Sequence, residues 1–336
     1  VRALRPHARL ALAVAALGAL AALAACQPPA PGRAEPQLVR AGRALLGATV
    51  TVSITARDRS QAEPAARAAL GALGEARRVE DAATAAGPLL AQVRRTAGRG
   101  TVQLPEDLFR LTSQALRVAA LTGGAYDPTA GAVRELFEGG RAPAPAALRA
   151  RLPLVGWKQV QLTPQPPGFV GTVALGHTGA RLDLEELWRP YAVDRAAQHL
   201  AEAGLTDFLV EAGGVAAGRG AGPHGPWRVG VADPAREGEW AARLFLKGGA
   251  LAVVGAAGAS RVDPRTGQPQ PGLDAVAVLG PDALTAAAVG EAVMALGPRE
   301  GAALVDRLGL RAVYCAPPGA TVSAGLRDEA ILRAAR

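Results

Sequence analysis

Apolar residues along this chain change their spacing repeatedly, from every second position to every third or fourth. That alternation restricts the fold to strands and helices interleaved over most of its length. From Ala48 to Ala56 the positions Val50, Val52 and Ile54 alternate as in a strand. Residues 61–79 carry Ala and Leu at helical spacing. A further helix opens at Leu104-Pro105-Glu106-Asp107, with proline and acids in its first turn, and runs to Gly123-Gly124. Residues 157–162 read as a strand, and Asp183 is expected at a strand end. Residues 191–203 read as a helix stopped by Gly204, and 208–210 as a short buried strand leading into Gly213-Gly214. Strands follow at 227–231, 242–246 and 275–279, then a helix at 283–296 closed by Gly297-Pro298. The class is α/β or α+β, with mixed or antiparallel pairing and no internal repeat.

The chain of 336 residues is long enough for a sizeable core. Aromatic residues make up only 4% of it, so the core is expected to be built of Leu, Val and Ala. The formal charge is +8, and Lys158 and Lys247 are the only lysines, so the positive charge is almost all scattered arginine. No basic stripe interleaved with aromatics exists to favour nucleic acid. His177, His199 and His224 lack ligand-like spacing, and no serine sits in a nucleophile-elbow sequence.

Arg2, Arg5 and Arg9 precede a charge-free run over residues 10–25, which ends Leu23-Ala24-Ala25-Cys26. Sixteen apolar residues fall short of the roughly 20 that span a bilayer, and the layout is that of a signal segment. Leucine three places before cysteine, with small residues between, reads as a lipobox with Cys26 the lipidated residue. An ordinary signal peptide or an uncleaved anchor is the alternative. The organisation expected is a signal segment at 1–25, a Pro-rich tether at 26–40 and one folded domain at 41–336, lipid-anchored on the extracytoplasmic face of a bacterial membrane. With Cys26 lipidated, Cys315 is the only other thiol, and no intramolecular disulfide can form.

Four segments, in order, resemble one family. They are Gly123-Gly124-Ala125-Tyr126-Asp127-Pro128-Thr129; Leu182-Asp183-Leu184 with Tyr191-Ala192-Val193-Asp194; Ala212-Gly213-Gly214 with 227–234; and Val262-Asp263-Pro264-Arg265-Thr266-Gly267. Together they are similar to the ApbE-like FAD:protein FMN transferases from about Leu46 to Gly297. The resemblance implies a single large ApbE/T-fold-like domain of mixed sheets with packed helices. It implies a Mg²⁺-dependent enzyme that takes FAD as substrate, moves FMN onto a threonine hydroxyl of a partner flavoprotein and releases AMP. Such chemistry needs positive charge at the pyrophosphate and a group that orients the hydroxyl.

Carried over by position, the FAD contacts are Leu46, Ala125, Tyr126, Asp127, Asp183, Arg189, Arg261, Arg265 and Thr266, and Asp263 is the catalytic, orienting group. Turn chemistry accounts for several of the same residues, Asp127 ahead of Pro128 and Asp263 with Thr266 and Gly267. The chain also departs from the pattern. Glu185-Glu186-Leu187-Trp188-Arg189-Pro190 replaces a glycine-rich stretch and is expected to narrow the pocket; Val253-Val254 replaces Thr-Ser, and Ser260 a histidine. In the last helix Ala287 stands where the family has a metal-binding aspartate, which leaves Glu186 and Glu291 as candidate metal ligands, with Glu291 an ordinary helix-surface acid as the alternative. These changes keep two other functions open, a non-catalytic lipoprotein that binds flavin or a partner and an FAD pyrophosphatase.

Overall fold

The computed structural model describes residues 35–45, 47–83, 87–137, 142–165, 170–255, 262–327 and 330–332. Cys26 with the signal segment, Leu46, Ser260 and Arg261 lie outside the described residues. Strand β1 (Gln37–Leu45) pairs antiparallel along its full length with β2 (Ala48–Ala56). The folded part therefore takes in residues 37–40, which the Pro-rich composition had assigned to the tether. Helices α1 (Arg59–Ala83) and α2 (Pro88–Thr96) follow, then β3 (Thr101–Leu104), α3 (Glu106–Leu121), α4 (Gly131–Arg134) and α5 (Pro145–Arg151). Next come β4 (Val160–Gln165), β5 (Val170–Leu175), α6 (Trp188–Glu202), β6 (Phe208–Ala212), β7 (Val215–Arg219) and β8 (Ala221–Gly222). The rest is β9 (Gly225–Ala232), β10 (Trp240–Leu246), β11 (Gly248–Gly255), β12 (Ala275–Gly280), α7 (Ala283–Arg307), β13 (Arg311–Ala316), β14 (Gly319–Val322) and β15 (Ala330–Leu332).

The central sheet has eight strands in the order β1-β2-β6-β7-β11-β12-β13-β14, each pair antiparallel. A four-stranded sheet, β15-β10-β9-β8, and a three-stranded one, β3-β5-β4, complete the described strands. Side chains on successive residues of a strand point to opposite faces. Val210, Ala252, Val276 and Val278 enter one core with α1, α6 and α7. Their neighbours Leu209, Leu251, Ala277 and Leu279 enter a second core with β9 and β10. A sheet covered on both faces needs apolar residues at every position, which is why β11 and β12 read as continuous apolar runs.

Helix α7 lies hard against this sheet. A Cβ added to Gly290 would stand 2.7 Å from Val254 Cγ2, so only glycine lets helix and strand meet here. At Gly297 the backbone turns to φ 76°, ψ −179°, the break that Gly297-Pro298 predicts, and a second helical stretch runs on to Arg307.

Three expectations need correction. Residues 157–159 form a 3-10 turn, and the strand starts only at Val160. Asp183 lies on no strand: Leu182 and Leu184 are buried by docking an irregular segment onto the core, which imitates strand alternation. Helix α6 opens at Trp188 rather than Tyr191, with Pro190 in its first turn, where a backbone N–H has no helical acceptor. No described helix is long and apolar enough to cross a membrane.

Candidate functional site

Helix α3 ends in a Schellman motif. Gly124 N–H donates to Ala119 O at 2.8 Å and Gly123 N–H to Ala120 O at 3.2 Å, with both glycines at positive φ. That reversal delivers Tyr126 and Asp127 into the interior, where they are 3% and 4% exposed. Asp127 then ties two loops together. One of its oxygens accepts from Thr129 N–H (2.8 Å) and Oγ1–H (2.6 Å), the other from Trp157 N–H (2.8 Å). Thr129 Oγ1 in turn accepts from Gly156 N–H at 2.8 Å. Burial pushes the Asp127 carboxyl above the usual carboxylate range, and the donated hydrogen bonds work against that rise.

Beside this staple is a group held by charge. Asp183 N–H donates to Pro128 O at 2.7 Å, and Asp183 Oδ2 accepts from Arg134 Nη1 at 3.1 Å. Arg134 is the last residue of α4, and its side chain is 19% exposed. Burial disfavours its charge, but the nearby carboxylates of Asp183 and Glu291 outweigh that and hold its pKa above the ordinary arginine value. Glu291, on α7, is 6% exposed, whereas Glu186 is exposed on the loop before α6 and contributes a weaker field at Arg134. The Tyr126 hydroxyl is buried without a hydrogen-bond partner. Burial pushes its pKa well up, with Arg134 opposing that rise and the acids Asp183, Asp127 and Glu291 adding to it, so it stays a neutral O–H with a donor to offer.

The Asp263 turn closes on itself. Asp263 is 4% exposed, and its carboxylate accepts from Arg265 N–H and Nε–H at 2.9 Å each and from Nη2–H at 2.7 Å. Gly267 N–H donates to Asp263 O at 2.7 Å with φ at +68°. Thr266 Oγ1 accepts from Gln268 N–H at 3.2 Å. Arg265, its pKa raised chiefly by the hydrogen bonds to Asp263, is thus engaged by its own turn. The turn stands close to the first segment, since a Cβ on Gly124 would lie 3.5 Å from Trp157 Nε1 and 3.9 Å from Arg265 Cγ. Gly213 and Gly214, both at positive φ, form the two-residue loop between β6 and β7. A Cβ on Gly213 would meet Ala48 Cβ at 3.1 Å and Arg189 Nη1 at 3.6 Å, so this turn gathers Arg189 and the start of β2.

The family model described as "ApbE family" matches residues 46–314, most of the chain. The chain belongs to the ApbE family. Among curated relatives, the FAD:protein FMN transferase of Salmonella typhimurium is 29% identical over 231 residues, 61% of this chain and 63% of the relative. That of Treponema pallidum is 29% identical over 268 residues, 71% and 74% of the two. Matches of this kind span about two thirds of the relatives' length. The apo flavinyl transferase ApbE of Pseudomonas stutzeri superposes with a TM-score of 0.73 at 22% identity, over 88% of this chain and 98% of that one. The ApbE protein of Thermotoga maritima gives 0.71 at 24% identity, over 87% and 98%. The fold is therefore the ApbE fold, a single domain of helices and antiparallel sheets.

Within this ApbE chain the motif residues divide by what they do. Tyr126, Asp127, Asp183 and Glu291 come together around Arg134, with Ala125 buried beside them in sequence. Of Glu185, Glu186, Trp188 and Pro190, expected to fill the pocket, Trp188 and Pro190 are buried and the two acids stay exposed. Ala287 is 4% exposed and offers no side-chain oxygen. Among the described residues no three His, Cys, Asp or Glu side chains form a group able to hold a metal ion.

Two residues carry more than their sequence suggested. Arg134 was missed; its signal is a lone arginine within the otherwise apolar helix Gly131–Arg134. Asp194, the end of the second motif, caps α7 from a distance: its oxygens accept from Ala283 N–H at 2.7 Å and Leu284 N–H at 2.9 Å. Burial raises its carboxyl to about 7 despite these bonds. Asp282 caps the same helix by accepting from Thr285 N–H at 2.6 Å. Cys315 is a free, buried thiol on the opposite face of the sheet, pushed up to about 11 by burial.

Proposed function

We propose that this chain binds FAD and transfers its FMN moiety to a threonine hydroxyl of a partner flavoprotein. In that reaction the threonine oxygen forms a bond to the FMN phosphorus, the phosphoanhydride bond breaks, AMP leaves and the hydroxyl proton passes to a base. Membership of the ApbE family over residues 46–314 carries the reading. The convergence of Tyr126, Asp127 and Asp183 near Glu291 supports it. In this reading Tyr126 donates to the ligand, Ala125 and Asp183 line its site, and Asp127 holds the loop that presents Tyr126. Arg189, Arg265 and Thr266 bound the same region, with Asp263 orienting the acceptor threonine.

Mg²⁺ would supply charge neutralisation at the pyrophosphate, but the donor set here does not fit it. Ala287 lacks an oxygen, and Asp183 is already paired to Arg134 at 3.1 Å. Glu186 and Glu291, the other candidate ligands, both lie within the field of the Arg134 guanidinium. The engagement of both Asp263 oxygens by Arg265 favours a second reading, a flavin-binding protein without transfer. Cys26 is proposed as the lipid anchor, placing the domain on the extracytoplasmic membrane face. The test is incubation of the chain with FAD and a candidate acceptor, reading AMP release and FMN bound to threonine. AMP with no protein-bound FMN points to hydrolysis, and FAD binding with neither product leaves only the binding function.

A further inference from the structure

Arg134 is a cation that no part of the transfer chemistry has used. It stands among acids: Asp183 accepts from its Nη1 at 3.1 Å, and Glu291 and Glu186 lie within its field. A guanidinium has five N–H donors. Here only Nη1 is bonded among the described residues, and 19% of the side chain remains open. The buried Tyr126 hydroxyl, also within the field of Arg134, has no acceptor. An unpartnered buried hydroxyl is costly, and this one lies within the electrostatic reach of a guanidinium that is itself partly open. Guanidinium and phosphate match in charge and geometry. A divalent ion on the same carboxylates would be repelled by the guanidinium and would find no oxygen at Ala287.

We propose that Arg134 is the resident cation of this site: together with the Tyr126 hydroxyl it holds the diphosphate of FAD, with no divalent metal required. This rests on the reading that the chain binds FAD. The site would be permanently charged, and its affinity independent of metal supply.

The test uses the full chain and the change in flavin fluorescence on binding, in excess EDTA and in millimolar MgCl₂. Wild-type affinity is expected to agree within about twofold between the two buffers, and Arg134→Met to weaken binding at least about tenfold in EDTA. A wild-type affinity that falls about tenfold in EDTA, or an Arg134→Met protein that binds as wild type, overturns the proposal. Should Arg134→Met not fold, Arg134→Lys keeps the charge and is expected to bind in EDTA; binding only with Mg²⁺ would overturn it. If wild type binds FAD in neither buffer, the functional reading fails, and thermal unfolding decides the cation's role. Mg²⁺ is then expected to leave the wild-type melting temperature unchanged, and a rise would refute a resident cation.

Discussion

The Asp127 staple and the Arg134 cluster are neighbours that hold their acids by different means. At the staple both carboxylate oxygens accept short hydrogen bonds from Thr129 and Trp157, and Thr129 itself is bonded onward to Gly156. At the cluster the acids face a guanidinium, and a buried hydroxyl is left without a partner. Hydrogen bonds closed within the protein define one geometry and engage both oxygens of the acid within its own loops. Charge held near an open donor stabilises the fold less and recognises more. The first region is scaffold, and the second is where a ligand would act.

The largest effect expected is on the staple. Asp127→Ala leaves the backbone N–H groups of buried Thr129 and partly buried Trp157 without acceptors and should lower stability by about 3 kcal/mol, read by urea unfolding. A loss below about 1 kcal/mol would show that water replaces the carboxylate and erase the contrast. Next is the distant cap of α7. Because the Asp194 carboxyl is raised to about 7 in the fold from 3.8, the folded state binds the proton more tightly. Its stabilisation is complete below the unfolded value and is lost as pH rises through about 7. Stability should fall by about 1 kcal/mol per pH unit between roughly pH 5 and 7, a slope that Asp194→Asn removes; equal slopes in the two proteins would refute the assignment.

Tyr126→Phe sharpens the comparison from the other side. Removing a buried hydroxyl that has no partner should leave the fold as stable or raise stability by about 1 kcal/mol, while weakening FAD binding. A clear loss of stability would place a hidden acceptor at this hydroxyl. The smallest effect is at the Asp263 turn. Arg265 is 43% exposed, so Arg265→Gln should change stability by less than about 1 kcal/mol in thermal unfolding. A larger loss would make the Asp263–Arg265 pair scaffold of the same rank as the staple.

Much of this arrangement is legible residue by residue. The bounds of β2, the reversal at Gly123-Gly124 and the break at Gly297 follow from alternation and glycine conformations, which depend on near neighbours alone. Strands β11 and β13 and helix α2 were not recognised, because burial on both faces or shortness removes the periodic signal. Residues 182–184 imitated a strand for the reverse reason: a loop pressed on a core also buries alternate residues.

The motif residues show the same division. Sequence alone determined the family, the interleaved class and the presence of acids at Asp127, Asp183, Asp194 and Asp263, because short motifs record which side chains are present. Only the tertiary structure decided which of those acids are occupied: Asp127 by Trp157, Asp183 by Arg134, Asp194 by the start of α7 and Asp263 by Arg265. Three of the four partners lie about 30 to 90 positions away along the chain. Whether a carboxylate is a cap, a staple or part of a binding site depends on the donor that folding brings to it, and spacing along the chain does not specify that donor.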